Sequence, residues 1–148
     1  MFAYDTYPPP LADWDVSNVE TFTGMFQNCR YMREDISRWN VSSAVSFDQM
    51  FAASAEYNRP LSSWDTSQAV SMRLMFANAQ DFNQYLAAWQ VGNVEDFFGM
   101  FQKMPQPLIR MRKDANTALM FANTACPERN TPVNLSAVPP GPLCVPCE

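Results

Sequence analysis

Large apolar residues return along this chain in blocks that repeat every 25 residues. Its four tryptophans are Trp14, Trp39, Trp64 and Trp89, and the same offsets recur around each. Leu11, Ile36, Leu61 and Leu86 stand three before, Val19, Ala44, Ala69 and Val94 five after, and Phe22, Phe47, Met72 and Phe97 eight after. The pairs Met25-Phe26, Met50-Phe51, Met75-Phe76 and Met100-Phe101 follow at eleven and twelve. A period in the twenties marks a repeat protein, in which a unit too small to fold alone buries its apolar face against its neighbours. The strict register assigns the Trp, Met and Phe positions to core ladders rather than to a metal or cofactor box. Each unit carries about five large apolar side chains worth roughly 1.5–3 kcal/mol apiece on burial, so stacking alone can offset the ordering entropy.

The spacing within each unit predicts its elements. Val19, Phe22, Phe26 and Cys29 step by three, four and three, the spacing of one helical face. Ser17 with Glu20 reads as a capping box; Ser42 and Ser67 repeat the cap position, and Gly92 replaces it. Short helices are therefore expected over 18–29, 43–54, 68–79 and 93–103. The stretches before them, such as Asp35 to Val41 and Gln84 to Val91, suit short extended segments. Stacked once per coil, these would form a narrow parallel sheet. Asn58 and Asn83 hold equivalent places for an internal Asn bonding the backbone at a bend, a series that Arg33 breaks. The expected fold is α/β: a leucine-rich-repeat-like solenoid of four 25-residue coils with short parallel strands and short helices.

The expected organisation is an irregular leader over 1–10, units at about 11–35, 36–60, 61–85 and 86–110, a degenerate cap coil over 111–125 and a Pro/Cys-rich tail over 126–148. The pattern decays after Phe101, where Pro105 and Pro107 intrude, and Leu119-Met120-Phe121-Ala122-Asn123 then echoes Leu74-Met75-Phe76-Ala77-Asn78 with five residues lost. A shortened last coil is what covers exposed core and an open edge. Cys29 shares its repeat position with Ser54, Ala79 and Met104 and is expected as a buried core thiol. Of the remaining cysteines, Cys126 is expected to bridge Cys144 or Cys147, which implies an oxidising compartment. Cys144 and Cys147 look like half of a zinc knuckle, but without histidine a closed four-ligand site is not expected.

Composition narrows the function. The net charge of −5 argues against nucleic-acid binding, which draws its affinity from Lys and Arg on phosphates. The absence of histidine excludes Ser/His/Asp and Cys/His catalysis. Asp15, Glu20, Asp65 and Asp96 sit at repeat-equivalent or solvated positions with nothing to converge on them, so no enzyme, no metal and no cofactor is expected. No apolar run approaches the roughly 20 residues that cross a bilayer, and Met1 to Pro10 lacks a basic then apolar leader. The expectation is a soluble chain from which any targeting segment is missing. The basic cluster Arg110, Arg112 and Lys113 reads as a solvated end of the array or as a docking point for an acidic partner or lipid headgroup. Specificity is expected at outward offsets that vary between units: Arg38, Ser63 and Ala88, or Thr23, Asp48, Arg73 and Phe98. Among these, Phe98 is either covered by Pro105 to Arg112 or offered to a partner.

Trp14-Asp15-Val16-Ser17-Asn18-Val19 with Met25-Phe26, and Leu61-Ser62-Ser63-Trp64-Asp65-Thr66-Ser67 with Met75-Phe76, resemble the BspA-like surface-protein repeat, found also in Mycoplasma lipoproteins. The resemblance spans about residues 8–125; Thr66, Gln90 and Gly92 depart from its Val, Asp and Ser. It implies a leucine-rich-repeat-type solenoid, secreted or on a cell surface, associated with adhesion and protein binding, and it carries no catalytic residues. The expected function is thus a non-catalytic protein-binding or adhesion module. The alternative is an accessory subunit docked on a larger complex, membrane-associated in an organelle lumen.

Overall fold

Each Leu-x-x-Trp segment folds as a four-residue turn, the Trp N–H donating to the Leu or Ile carbonyl three residues back. The four bonds measure 3.1 Å at Trp14, 3.1 Å at Trp39, 3.2 Å at Trp64 and 3.0 Å at Trp89. The computed structural model describes residues 11–86 and 88–104. That carbonyl takes a second donor from the next coil. The indole N–H of Trp39 donates to Leu11 O at 2.9 Å, that of Trp64 to Ile36 O at 3.2 Å and that of Trp89 to Leu61 O at 2.8 Å. One motif therefore makes a corner and ties that corner to its neighbour, with the only polar atom of a buried indole satisfied.

The segments expected as helices are not helical, and the α/β solenoid of strands and helices is overturned for the described residues. In the first coil the N–H groups of Met25, Gln27, Cys29 and Met32 bond carbonyls three residues back, each at 3.1 Å. The intervening N–H groups of Phe22, Gly24, Phe26 and Asn28 instead donate to Ser46, Asp48, Met50 and Ala52 of the next coil at 2.8–2.9 Å. Coils two and three repeat the scheme. A left-handed residue recurs every fourth position, at Gly24 and Asn28, Gln49 and Ala53, Leu74 and Asn78, Gly99 and Lys103. In the turns 22–25 and 26–29 this residue is third of four, the position where a type II turn requires positive φ. A ribbon of such turns buries every fourth side chain, so Phe22 and Phe26 share a face as they would on a helix of period 3.6. The left-handed conformation costs a non-glycine residue roughly 1–2 kcal/mol. The bonds to the adjacent coil offset that cost, because they satisfy backbone groups that an isolated unit leaves to water.

The parallel sheet expected over Asp35–Val41 and Gln84–Val91 is also corrected: the described residues there contain no strand, and the turns closed by Trp39 and Trp89 run through them. Parallel pairing occurs instead as single bridges linking Thr21, Ser46, Ser71 and Asp96 in register. Ser17 does not cap a helix. Its N–H and hydroxyl both donate to Asp15 Oδ1, at 3.0 and 2.7 Å, and Glu20 is exposed. Asn58 and Asn83 are exposed rather than internal, with Asn83 N–H donating to Asn58 Oδ1 at 3.0 Å.

Between the coils lies one apolar core of stacked columns. Phe26, Phe51, Phe76 and Phe101 follow one another at centroid spacings of 5.7, 5.4 and 5.8 Å. Trp64 and Trp89 stack at 6.3 Å with planes 2° apart. Met50, Met75, Met100 and Cys29 are buried, and Met25 is partly so. Trp14 differs from the other three tryptophans in being 40 % exposed. Each later Trp packs on rings of the coil before it, as Trp39 does on Phe22 and Phe26, and Trp14 lies in the first described coil. Two polar residues enter the core. The Thr66 hydroxyl donates to Gln90 O at 3.1 Å and accepts from Gln90 N–H at 3.0 Å, which accounts for a Thr where other coils have Val. Ser54, by contrast, bonds Phe26 O.

Candidate functional site

The bridge positions Thr21, Ser46, Ser71 and Asp96 each precede a core residue, Phe22, Phe47, Met72 or Phe97. In extended backbone, residues on either side of an inward one face outward. The result is a surface stripe carrying Thr21 and Thr23, Ser46 and Asp48, Ser71 and Arg73, Asp96 and Phe98 on successive coils. Beside it run Glu20, Val45, Val70 and Glu95, all exposed, with the two valines 41 % and 42 % accessible.

Hydrogen bonds cross the stripe from coil to coil. The hydroxyls of Thr23 and Ser46 lie 3.1 Å apart, Ser71 donates its hydroxyl to Asp48 Oδ1, and Arg73 N–H donates to the same oxygen at 2.9 Å. At its far end three side chains meet. Phe98 N–H donates to Asp96 Oδ1 at 2.7 Å, the Arg73 guanidinium pairs with Asp96 at 3.5 Å, and the same guanidinium lies 4.6 Å above the Phe98 ring. The ring stays 36 % exposed. The ion pair is half exposed and worth about 0–1 kcal/mol; the cation–ring contact adds about 0.5–1 kcal/mol. Together they hold a long, rotamer-rich arginine in place before any partner arrives, which lowers the ordering cost of binding.

The structure thus brings together Phe98 and Arg73, two of the residues the sequence singled out. Arg110, Arg112, Lys113, Cys126, Cys144, Cys147, the stretch Pro105 to Arg112, the cap coil and the tail lie outside the described residues. The Asp96 bridge and the valine row were not foreseen. Their signal is the local alternation Thr-Phe-Thr, Ser-Phe-Asp, Ser-Met-Arg and Asp-Phe-Phe, a period-two pattern that the stronger three-four spacing hides.

Three carboxylates outside the stripe serve turns. Hydrogen bonds from Ser17, Ser37 and Ser67 hold Asp15, Asp35 and Asp65 below the usual carboxylate range. Among the described residues no group of three or more Cys, Asp or Glu side chains is placed to hold a metal ion. No helix there is long and apolar enough to cross a membrane. A family model described as "Mycoplasma protein of unknown function, DUF285" matches residues 1–114. No curated protein and no solved structure matches the chain.

Proposed function

The chain belongs to the DUF285 family, and from that premise we propose that it is a non-catalytic protein-binding or adhesion module of the BspA-like surface type. The observation that carries this reading is the outward Arg73–Phe98–Asp96 cluster. An aromatic capped by an arginine on a regular, hydrogen-bonded stripe combines two residue types enriched at protein interfaces. Val45 and Val70 supply apolar area beside it, and Glu20 and Glu95 a polar rim. The core positions are committed to packing, so the stripe is where one coil can differ from the next without loss of fold.

The test is retention of the labelled full chain on cells and on a panel of extracellular matrix proteins, compared with Phe98→Ala and Arg73→Ala. Phe98→Ala is expected to weaken retention by about 2 kcal/mol or more, roughly thirtyfold in Kd, with thermal stability nearly unchanged. Equal retention by all three chains removes the stripe from the binding surface. A matching loss of stability in the free variant assigns Phe98 to packing instead.

A further inference from the structure

We propose that Asn40 is an acceptor for N-linked oligosaccharide. The position directly after each Trp is exposed in all four coils and holds Asp15, Asn40, Asp65 and Gln90. In the first three coils its side-chain oxygen accepts the backbone N–H two residues on, at 3.0 Å from Ser17, 3.2 Å from Ser42 and 3.0 Å from Ser67. The turn is thus common to the repeat, but its chemistry is not. Asp15 and Asp65 offer carboxylate oxygens, and Gln90 is followed by Val91 and Gly92 with no hydroxyl. Coil two alone among the four joins an amide nitrogen to a hydroxyl two residues on, as Asn40-Val41-Ser42, the acceptor sequence for oligosaccharyl transfer.

The fold presents this acceptor outward. Val41 is buried and pins the turn to the core, while Asn40 is exposed. The bond from Ser42 N–H engages the amide oxygen of this exposed residue and not the Nδ2 at which transfer takes place. In the transfer a bond forms between Nδ2 and C1 of a lipid-linked oligosaccharyl diphosphate. The C1–O bond breaks, its electron pair leaves with the diphosphate, and one amide proton passes to a base of the transferase. The donor and the enzyme belong to a eukaryotic secretory lumen. The proposal goes beyond the adhesion reading and does not depend on it, since the site is a different turn of the coil from the Arg73–Phe98 stripe.

The full chain would be expressed behind a cleavable secretion signal. Asn134→Gln is included throughout, because Asn134-Leu135-Ser136 fits the same acceptor sequence outside the described residues. The expected result is a mass increment that peptide N-glycosidase removes. It should vanish in Asn40→Asp, which keeps the turn as Asp15 and Asp65 do, and in Ser42→Ala. Cell-free translation with microsomes gives the same reading where secretion fails. A translocated, folded chain whose peptide map shows unmodified Asn40 overturns the proposal and leaves the stripe reading untouched.

Discussion

Tyr57 offers a perturbation whose sign runs against the usual cost of a core substitution. Its ring stacks on Phe51 at 4.3 Å and on Phe82 at 6.2 Å, yet its hydroxyl is buried and has no hydrogen-bond partner among the described residues. The equivalent positions in the neighbouring coils are Met32 and Phe82, so the core accepts a ring there without a polar tip. Leaving a buried hydroxyl unsatisfied costs about 1–3 kcal/mol. Removing it opens a void of roughly one oxygen atom, a few tenths of a kcal/mol at about 24 cal/mol per Å3. Tyr57→Phe is therefore expected to stabilise the protein by about 1–2 kcal/mol, read as a higher urea midpoint at neutral pH with an unchanged slope. Alkaline titration supplies a second reading. Burial, with the Asp35 carboxylate nearby, pushes the Tyr57 hydroxyl well above its ordinary value of 10.0. Above that value the unfolded chain loses the proton and the native chain keeps it. The Tyr57 contribution is then level below about pH 10 and falls by up to about 1.4 kcal/mol per pH unit above it, a dependence that the Phe variant lacks. A variant less stable than the parent by 1 kcal/mol or more, or one with the parent's alkaline slope, refutes the reasoning.

Trp39→Ala removes a buried indole and its bond to Leu11, and is expected to cost about 3–5 kcal/mol in chemical unfolding; a loss below 1 kcal/mol would show that the ladder does not carry the stack. Gly99 sits at φ +62 with Leu74 Cδ2 only 2.7 Å from where a Cβ would lie, whereas Gly92 has open space around it. Gly99→Ala should destabilise by more than about 1 kcal/mol and Gly92→Ala should be neutral or gain up to that amount, compared by melting temperature. Because hydrogen bonds lower the Asp15, Asp35 and Asp65 carboxyls in the native state, their contribution is complete above about pH 4 and fades as pH falls through those lowered values. Asp65→Asn, which keeps the turn as Asn40 does, should flatten the acid limb of urea unfolding; an unchanged limb assigns acid sensitivity to other groups.

The 25-residue register, the inward positions and the outward offsets could be read from the chain itself, because a repeat states its own alignment. Trp64 and Trp89, or Phe51 and Phe76, stack on one another as equivalent residues must when identical units are laid in parallel. The conformation of Val19 to Cys29 could not be read in the same way. Apolar steps of three and four fit an α-helix and fit a ribbon of turns with a left-handed residue every fourth position, and local propensity favours the helix for Gln49, Ala53 and Leu74. What decides between them is the fate of alternate N–H groups. In a helix Phe26 N–H would bond Phe22 O; here it bonds Met50 O, an acceptor supplied only when the next coil is in place. Arg73, Asp96 and Phe98 meet for the same reason: residues more than twenty apart in sequence become neighbours through that backbone ladder, which exists only between coils.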